Sequence, residues 1–112
     1  MTHILLVLAL ARILAGETPG CPVEAKIAAA HVWHNRTEAG IEGGWFGDAN
    51  PTALDWHVAL NWMNHEDPTD GSLWFIHPDD RERMAWLQGP AAVRTGHWQC
   101  KGTEVESWKR QP

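Results

Sequence analysis

The segment "ILLVLALARILAGETPGCP", residues 4–22, carries the most apolar run of the chain into a single acid, Glu17, and then stops it with Pro19, Gly20 and Pro22. A membrane span, an export signal and a buried helix compete for it. Residues 4–11 are eight apolar positions before Arg12, short of the roughly 20 that cross a bilayer. "LALA" resembles a small-residue cleavage site, but "MTH" ahead of the run has no Lys or Arg, and the hydrophobic segment resumes after Arg12. The expectation is therefore a buried helix, apolar almost all round, from an N-cap at Thr2 to about Gly16. Glu17 falls at its end, facing a turn.

Working outward, Pro22 and the alanine-rich "VEAKIAAAHVWHNR" predict a second helix over 22–36, with Val23, Ile27, Ala30 and His34 on one face. Asn50 as N-cap, Pro51 behind it, and the stripe Leu54, Val58 and Trp62 predict a third helix to about Asn64. "HEDPTDG" is turn chemistry, and "SLWFI" reads as a short strand stopped by Pro78. "PDDRERMAWLQ", acidic in its first turn, predicts a fourth helix ended by Gly89 and Pro90. "AAVRT" and "HWQCK" predict two short strands around Gly96. The expected class is α+β, mostly helical with a short antiparallel sheet in the C-terminal half. One domain over 1–102 and a loose polar tail over 103–112 complete the expectation.

A chain of 112 residues suffices for one core. Its formal charge of −5 and its nine scattered basic residues exclude a phosphate-binding stripe, hence no nucleic-acid partner is expected. Eight Trp, against two Phe and no Tyr, suit flat apolar ligands or a small core filled by large rings. Cys21 and Cys100 lack C-x-x-C spacing, which argues against structural zinc. Bonded, they would tie the second helix to the last strand, a closure worth about 4 kcal/mol; two free buried thiols are the alternative. His31 and His34 lie three apart without the H-E-x-x-H pattern, so neither a metal nor another cofactor is expected.

Nucleophile-elbow and phosphate-loop patterns are absent, which leaves the carboxylates. A glycosidase needs one carboxylic acid that keeps its proton near neutral pH, and an apolar wall favours that state. Glu17, at the end of an apolar helix, is placed for it, although an ordinary surface Glu near a helix end has the same local sequence. A two-carboxylate mechanism needs a partner, for which Asp48, Asp55 and Asp67 are candidates without a spacing rule to choose among them.

The order of segments resembles the catalytic domain of spore-cortex-lytic, SleB-type cell wall hydrolases. "ARILAGETPGCPVEAKIAAAHVWHNR" matches that family's Ala-Arg-x-x-x-x-Glu, Gly-x-Pro and Asn-Arg pattern at Ala11, Arg12, Glu17, Gly20, Pro22, Asn35 and Arg36. "DPTDGSLWFIHP" matches its Asp-Pro-Thr block and aromatic pair, and "VRTGHW" its closing strand. Two departures stand out. Thr18 occupies a position where the family usually has Ala, and the middle loop is shortened to "EAGIEGGWFGDANP".

The resemblance implies a lysozyme-like fold acting on peptidoglycan glycan strands as a monomer, without stable membrane insertion. Glu17 would be the catalytic acid and base, in a lytic transglycosylase cutting the bond between N-acetylmuramic acid and N-acetylglucosamine. Simple hydrolysis remains open. Trp45, Phe46, Asp67, Thr69, Trp74, His97 and Trp98 are the expected substrate-binding residues. Asp67 and Thr69 equally suit a turn-fixing role, while Trp33, Trp56 and Trp62 suit core. Action on the cell wall after phage-type release, or after secretion by another route, is the expected setting. A non-catalytic peptidoglycan-binding module with a degenerate cleft, or a helical interaction protein, are the alternatives.

Overall fold

The computed structural model describes residues 2–45, 47 and 49–111. Three helices, α1 (Thr2–Glu17), α2 (Val23–Glu38) and α3 (Ala53–Asn61), precede three strands, β1 (Trp74–Ile76), β2 (Ala92–Cys100) and β3 (Thr103–Arg110). The architecture is α+β, as the sequence predicts. The sheet is antiparallel in the order β1-β3-β2.

α2 is the axis of the domain: it touches α1, α3 and all three strands. Its burial is not the single stripe expected from Val23, Ile27, Ala30 and His34. Ala25, Ala28, Ala29 and Ala30 are buried together with Lys26, His31 and Val32, while Val23, Ile27 and His34 are only half covered. Alanines on several faces let neighbouring backbones approach from every side, so the helix is enclosed rather than laid on a surface.

α1 departs from its expectation at its outer end. From Leu10 onward it is core, with Leu10, Ala11, Ile13 and Leu14 buried, but Ile4 and Leu5 are about two-thirds exposed at 66% and 64%. The side chain of Thr2, the expected N-cap, lies outside the described residues. No helix among the described residues is long and apolar enough to cross a membrane.

α3 starts later than expected. Thr52 rather than Asn50 caps it, in a reciprocal box: Thr52 Oγ1 accepts from Asp55 N at 3.3 Å, and Asp55 Oδ2 accepts from Thr52 N at 2.8 Å. One 3₁₀ turn, Trp62–Asn64, extends it. Trp56, expected in the core, is 38% exposed.

The C-terminal half holds the larger corrections. The expected fourth helix is two 3₁₀ segments, Pro78–Arg83 and Ala85–Gln88, broken at an extended Met84. Met84, Trp86 and Leu87 all pack on one small core with Ile76 and Trp108. Positions two apart face away from each other on an α-helix, so the break is what brings Met84 and Trp86 to the same side. The two short strands expected around Gly96 are one strand, β2, bulged between Arg94 and Gly96. A Cβ at Gly96 would stand 2.1 Å from the Trp98 ring, which folds over it.

The expected loose tail is instead β3, the central strand. Val105, Glu106, Ser107 and Trp108 are all buried in it. Its polar composition is compatible with burial because Glu106 is neutralised: Arg81 Nη2 and Arg94 Nη1 reach Oε2 at 3.0 and 3.1 Å, and Trp108 Nε1 donates to Oε1 at 3.1 Å. Arg81 Nε also lies 3.0 Å from Oε1 but is badly aligned for a hydrogen bond, so Nη2 carries the contact.

Cys21 and Cys100 form a disulfide, which resolves the alternative left open by spacing. It joins the turn after α1 to the β2–β3 hairpin. Beside it Lys101 N donates to Gly20 O at 2.9 Å, and Gly20 adopts φ +69° with Lys101 so close that a Cβ would meet it at 3.2 Å. Glycine is the residue that fits both constraints.

Lys26 and Asp55 are sealed in the helical half, 4% and 1% exposed, with Nζ 2.6 Å from Oδ1. Lys26→Met leaves the Asp55 carboxylate buried and unpaired, so it should destabilise the fold by about 3–5 kcal/mol in denaturant unfolding. A loss below about 1 kcal/mol, the level of an exposed pair, contradicts this account.

Candidate functional site

Glu17 is the last residue of α1 and is 7% exposed. Burial at that position follows from the turn behind it. Thr18 Oγ1 donates to Leu14 O at 2.6 Å, capping the last helical turn from within. Lys26 Nζ donates to Thr18 O at 2.7 Å and to Thr18 Oγ1 at 3.2 Å. Thr18, the departure noted beside Glu17, is thus one half of a contact whose other half is Lys26. Nothing in "EAKIAAA" marks Lys26 as anything but an exposed helix lysine, and sequence reasoning missed it.

The three sequence blocks interlock. Asn35 Nδ2, near the end of α2, donates to Asp67 Oδ2 at 2.9 Å and to Ser72 O at 3.1 Å. Arg36 Nη1 donates to Leu73 O at 2.8 Å. Ser72 Oγ donates to Thr69 O and lies 2.6 Å from Thr95 Oγ1, which is 2.8 Å from Ser107 Oγ. Each hydroxyl has one proton, so with Ser72 donating to the carbonyl, Thr95 donates to Ser72 and Ser107 to Thr95.

Asp67 and Thr69 hold the turn of this network. Asp67 Oδ1 accepts from Thr69 N at 2.8 Å and from Thr69 Oγ1 at 2.6 Å, while Oδ2 also accepts from Gly71 N at 3.0 Å. Thr69 is fully buried. These bonds show the turn-fixing role, one of the two expected for this pair.

Trp45 and Trp74 do come together. With Arg36, Gly44, Phe75, Ile76 and Met84 they line a cavity of about 300 Å³. Arg36 lies 5.9 Å over the Trp45 ring, and Trp74 packs on Trp86 with centroids 4.5 Å apart. Trp98 lies elsewhere. It stacks on Phe75 at 6.3 Å and walls a separate cavity of about 240 Å³ with Ile27, His65 and Pro68. His97 is exposed, its Nε2 3.0 Å from Glu104 Oε2. Phe46 and Asp48 lie outside the described residues. Glu17 is not among the residues lining either Trp cavity.

The remaining candidate partners for a two-carboxylate site are occupied. Asp55 serves Lys26 and the α3 cap, and Asp67 serves Asn35, Thr69 and Gly71. No group of three or more His, Cys, Asp or Glu suited to a metal occurs among the described residues.

Two titrating groups shape acid stability. Burial lowers His31 below its ordinary 6.5, against the opposing pull of Asp67 and the carbonyls of His65 and Trp62, while His34 adds to the lowering. Its Nε2 has no hydrogen-bond partner among the described residues, and the ring meets Trp62 edge-on at 5.1 Å. Burial alone would raise Asp67, but bonds from Thr69, Asn35 and Gly71 outweigh it and hold the carboxyl below 3.8. Comparison with models of known families, with curated proteins and with solved structures finds no match to this chain.

With His31 depressed, the unfolded chain takes up a proton before the folded one, and stability falls as pH drops through about 6.5. Asp67 adds a second loss only when pH falls below 3.8. Melting at pH about 7.5 and about 5.5 should therefore show a smaller drop for His31→Phe than for the wild type. Equal drops contradict the assignment of His31.

Proposed function

We propose that this chain is a lysozyme-like peptidoglycan-cleaving glycosidase, a lytic transglycosylase of the SleB-type kind, acting at the cell wall with Glu17 as its one catalytic carboxyl. The observation that carries it is the burial of Glu17 at the end of an apolar helix, in register with the motif glutamate and before a turn anchored by Thr18 and Lys26. The hydrogen-bonded convergence of the three motif blocks supports the resemblance on which the substrate class rests.

In this scheme Glu17 donates its proton to the glycosidic oxygen as the bond from muramic C1 breaks. The resulting carboxylate then accepts the proton of the muramic 6-hydroxyl as that oxygen bonds to C1. The products are a free N-acetylglucosamine hydroxyl and a 1,6-anhydro end, and no water is consumed. Replacing a general acid and base of this kind costs roughly 10²–10⁴ in rate.

A second reading has its own support. Because Glu17 does not line the cavity of Trp45 and Trp74, the chain could hold glycan there without cutting it. A helical interaction protein with Glu17 as an exposed cap is disfavoured by the burial of that residue.

Glu17→Gln should lower release of soluble muropeptides from purified peptidoglycan by about 10²–10⁴-fold while leaving the melting transition in place. Unchanged release removes Glu17 from the mechanism. No release by either protein favours the binding module.

A further inference from the structure

Among the described residues, Arg36 is the one charged side chain that lines the cavity of Trp45 and Trp74. Arg36 is half-buried, and burial lowers its pKa below the usual guanidinium range. It makes no ion pair among the described residues. Its protein partners are carbonyls, Leu73 O at 2.8 Å and Gly43 O at a long 3.4 Å. A guanidinium has five N–H donors, so several remain beside the cavity. Partly desolvated charges are ordinarily paired, and among the described residues this one meets two carbonyls and the face of Trp45 but no carboxylate.

The aromatic surface continues beyond the cavity. Trp74 contacts Trp86, and Arg110 lies 5.8 Å over the Trp86 ring. Trp45 and Trp74 thus line one cavity, with Arg36 over the first ring, and Trp86 extends the Trp74 side toward Arg110. Flat apolar faces suit the faces of pyranose rings, and a guanidinium suits a carboxylate through paired charge-assisted bonds. The cavity, about 300 Å³, lies at the lower end of ligand sites, which run to about 1,000 Å³, and has room for a small group rather than a long chain.

We propose that this cavity is a subsite for a carboxylate-bearing sugar, with the ring against Trp45 and Trp74 and the carboxylate on Arg36. It rests on the glycan reading above and deepens it, since it selects anionic over neutral strands. In peptidoglycan the carboxylate has two sources: the lactyl group of a muramic residue whose peptide has been removed, or an acid of the peptide stem. The first is supplied by an amidase-type reaction that hydrolyses the lactyl amide.

The test uses the Glu17→Gln protein, chosen to hold strands without cutting them, and calorimetric titration with three probes. These are peptide-free glycan strands with free lactyl carboxylates, the same strands with those carboxylates converted to methyl amides, and strands bearing their peptide stems. Masking the lactyl carboxylate should weaken binding about tenfold, the loss expected for one charge-assisted contact. Adding Arg36→Gln should abolish the difference between free and masked strands. Stem-bearing strands that bind like free strands assign the carboxylate to the stem as well, and stem-bearing strands that bind like masked ones assign it to the lactyl group alone. Because masking changes only the ligand, its result does not depend on whether the Arg36 variant folds.

Equal affinity for free and masked strands overturns the subsite, as does the absence of binding to any strand. Muropeptide release by the wild type, measured in parallel, separates the two ideas. Cleavage without charge discrimination removes the subsite and leaves the enzyme. Discrimination without cleavage keeps the subsite and removes the enzyme.

Discussion

The ammonium of Lys26 is the constraint on which the helical half depends. One buried charge reaches the carbonyl and the hydroxyl of Thr18, at the end of α1, and the carboxylate of Asp55, which also closes the cap of α3. Removing an ammonium and a carboxylate from water costs several kcal/mol per ion, so such a pair persists only when its other hydrogen-bonding groups are matched. Here they are: Lys26 uses three acceptors, and the second oxygen of Asp55 accepts from Thr52 N and Oγ1. The turn after Glu17 is thereby held from inside by Lys26 and from outside by the Cys21–Cys100 bridge and the Lys101–Gly20 hydrogen bond. Glu17 is the last helical residue before a turn fixed on both sides.

What could be read in advance was local. Pro22 in front of α2, the Asp67–Gly71 turn and the Pro that stops β1 are each set by backbone chemistry within a few residues, and these elements fall where they were expected. The segments that differed depend on partners far along the chain. Residues 103–110 are polar enough to pass for a solvated tail, and they form a central strand because Arg81 and Arg94 neutralise Glu106 there. Residues 78–88 have the length and charge pattern of a helix. They break at Met84 because Met84, Trp86 and Leu87 must all meet Ile76 and Trp108.

The site divides in the same way. Glu17 could be named from its register with the neighbouring motif, and Trp45 and Trp74 from residue type, but Lys26 carries no local signal. Asp67 and Thr69, chosen for a motif they share with sugar-cleaving domains, spend their polar atoms on the loop and on Asn35. They join the end of α2, which carries Arg36, to the segment that carries Trp74.

The central proposal is that one buried carboxyl, that of Glu17, performs both steps. The direct measurement is digestion of peptidoglycan in heavy-oxygen water, with mass spectrometry of the released muropeptides. The account predicts 1,6-anhydro ends, lighter by one water than reducing ends and free of the heavy label. Reducing-end products carrying the label at C1 would contradict it, because a water would then have attacked where the muramic 6-hydroxyl is required to.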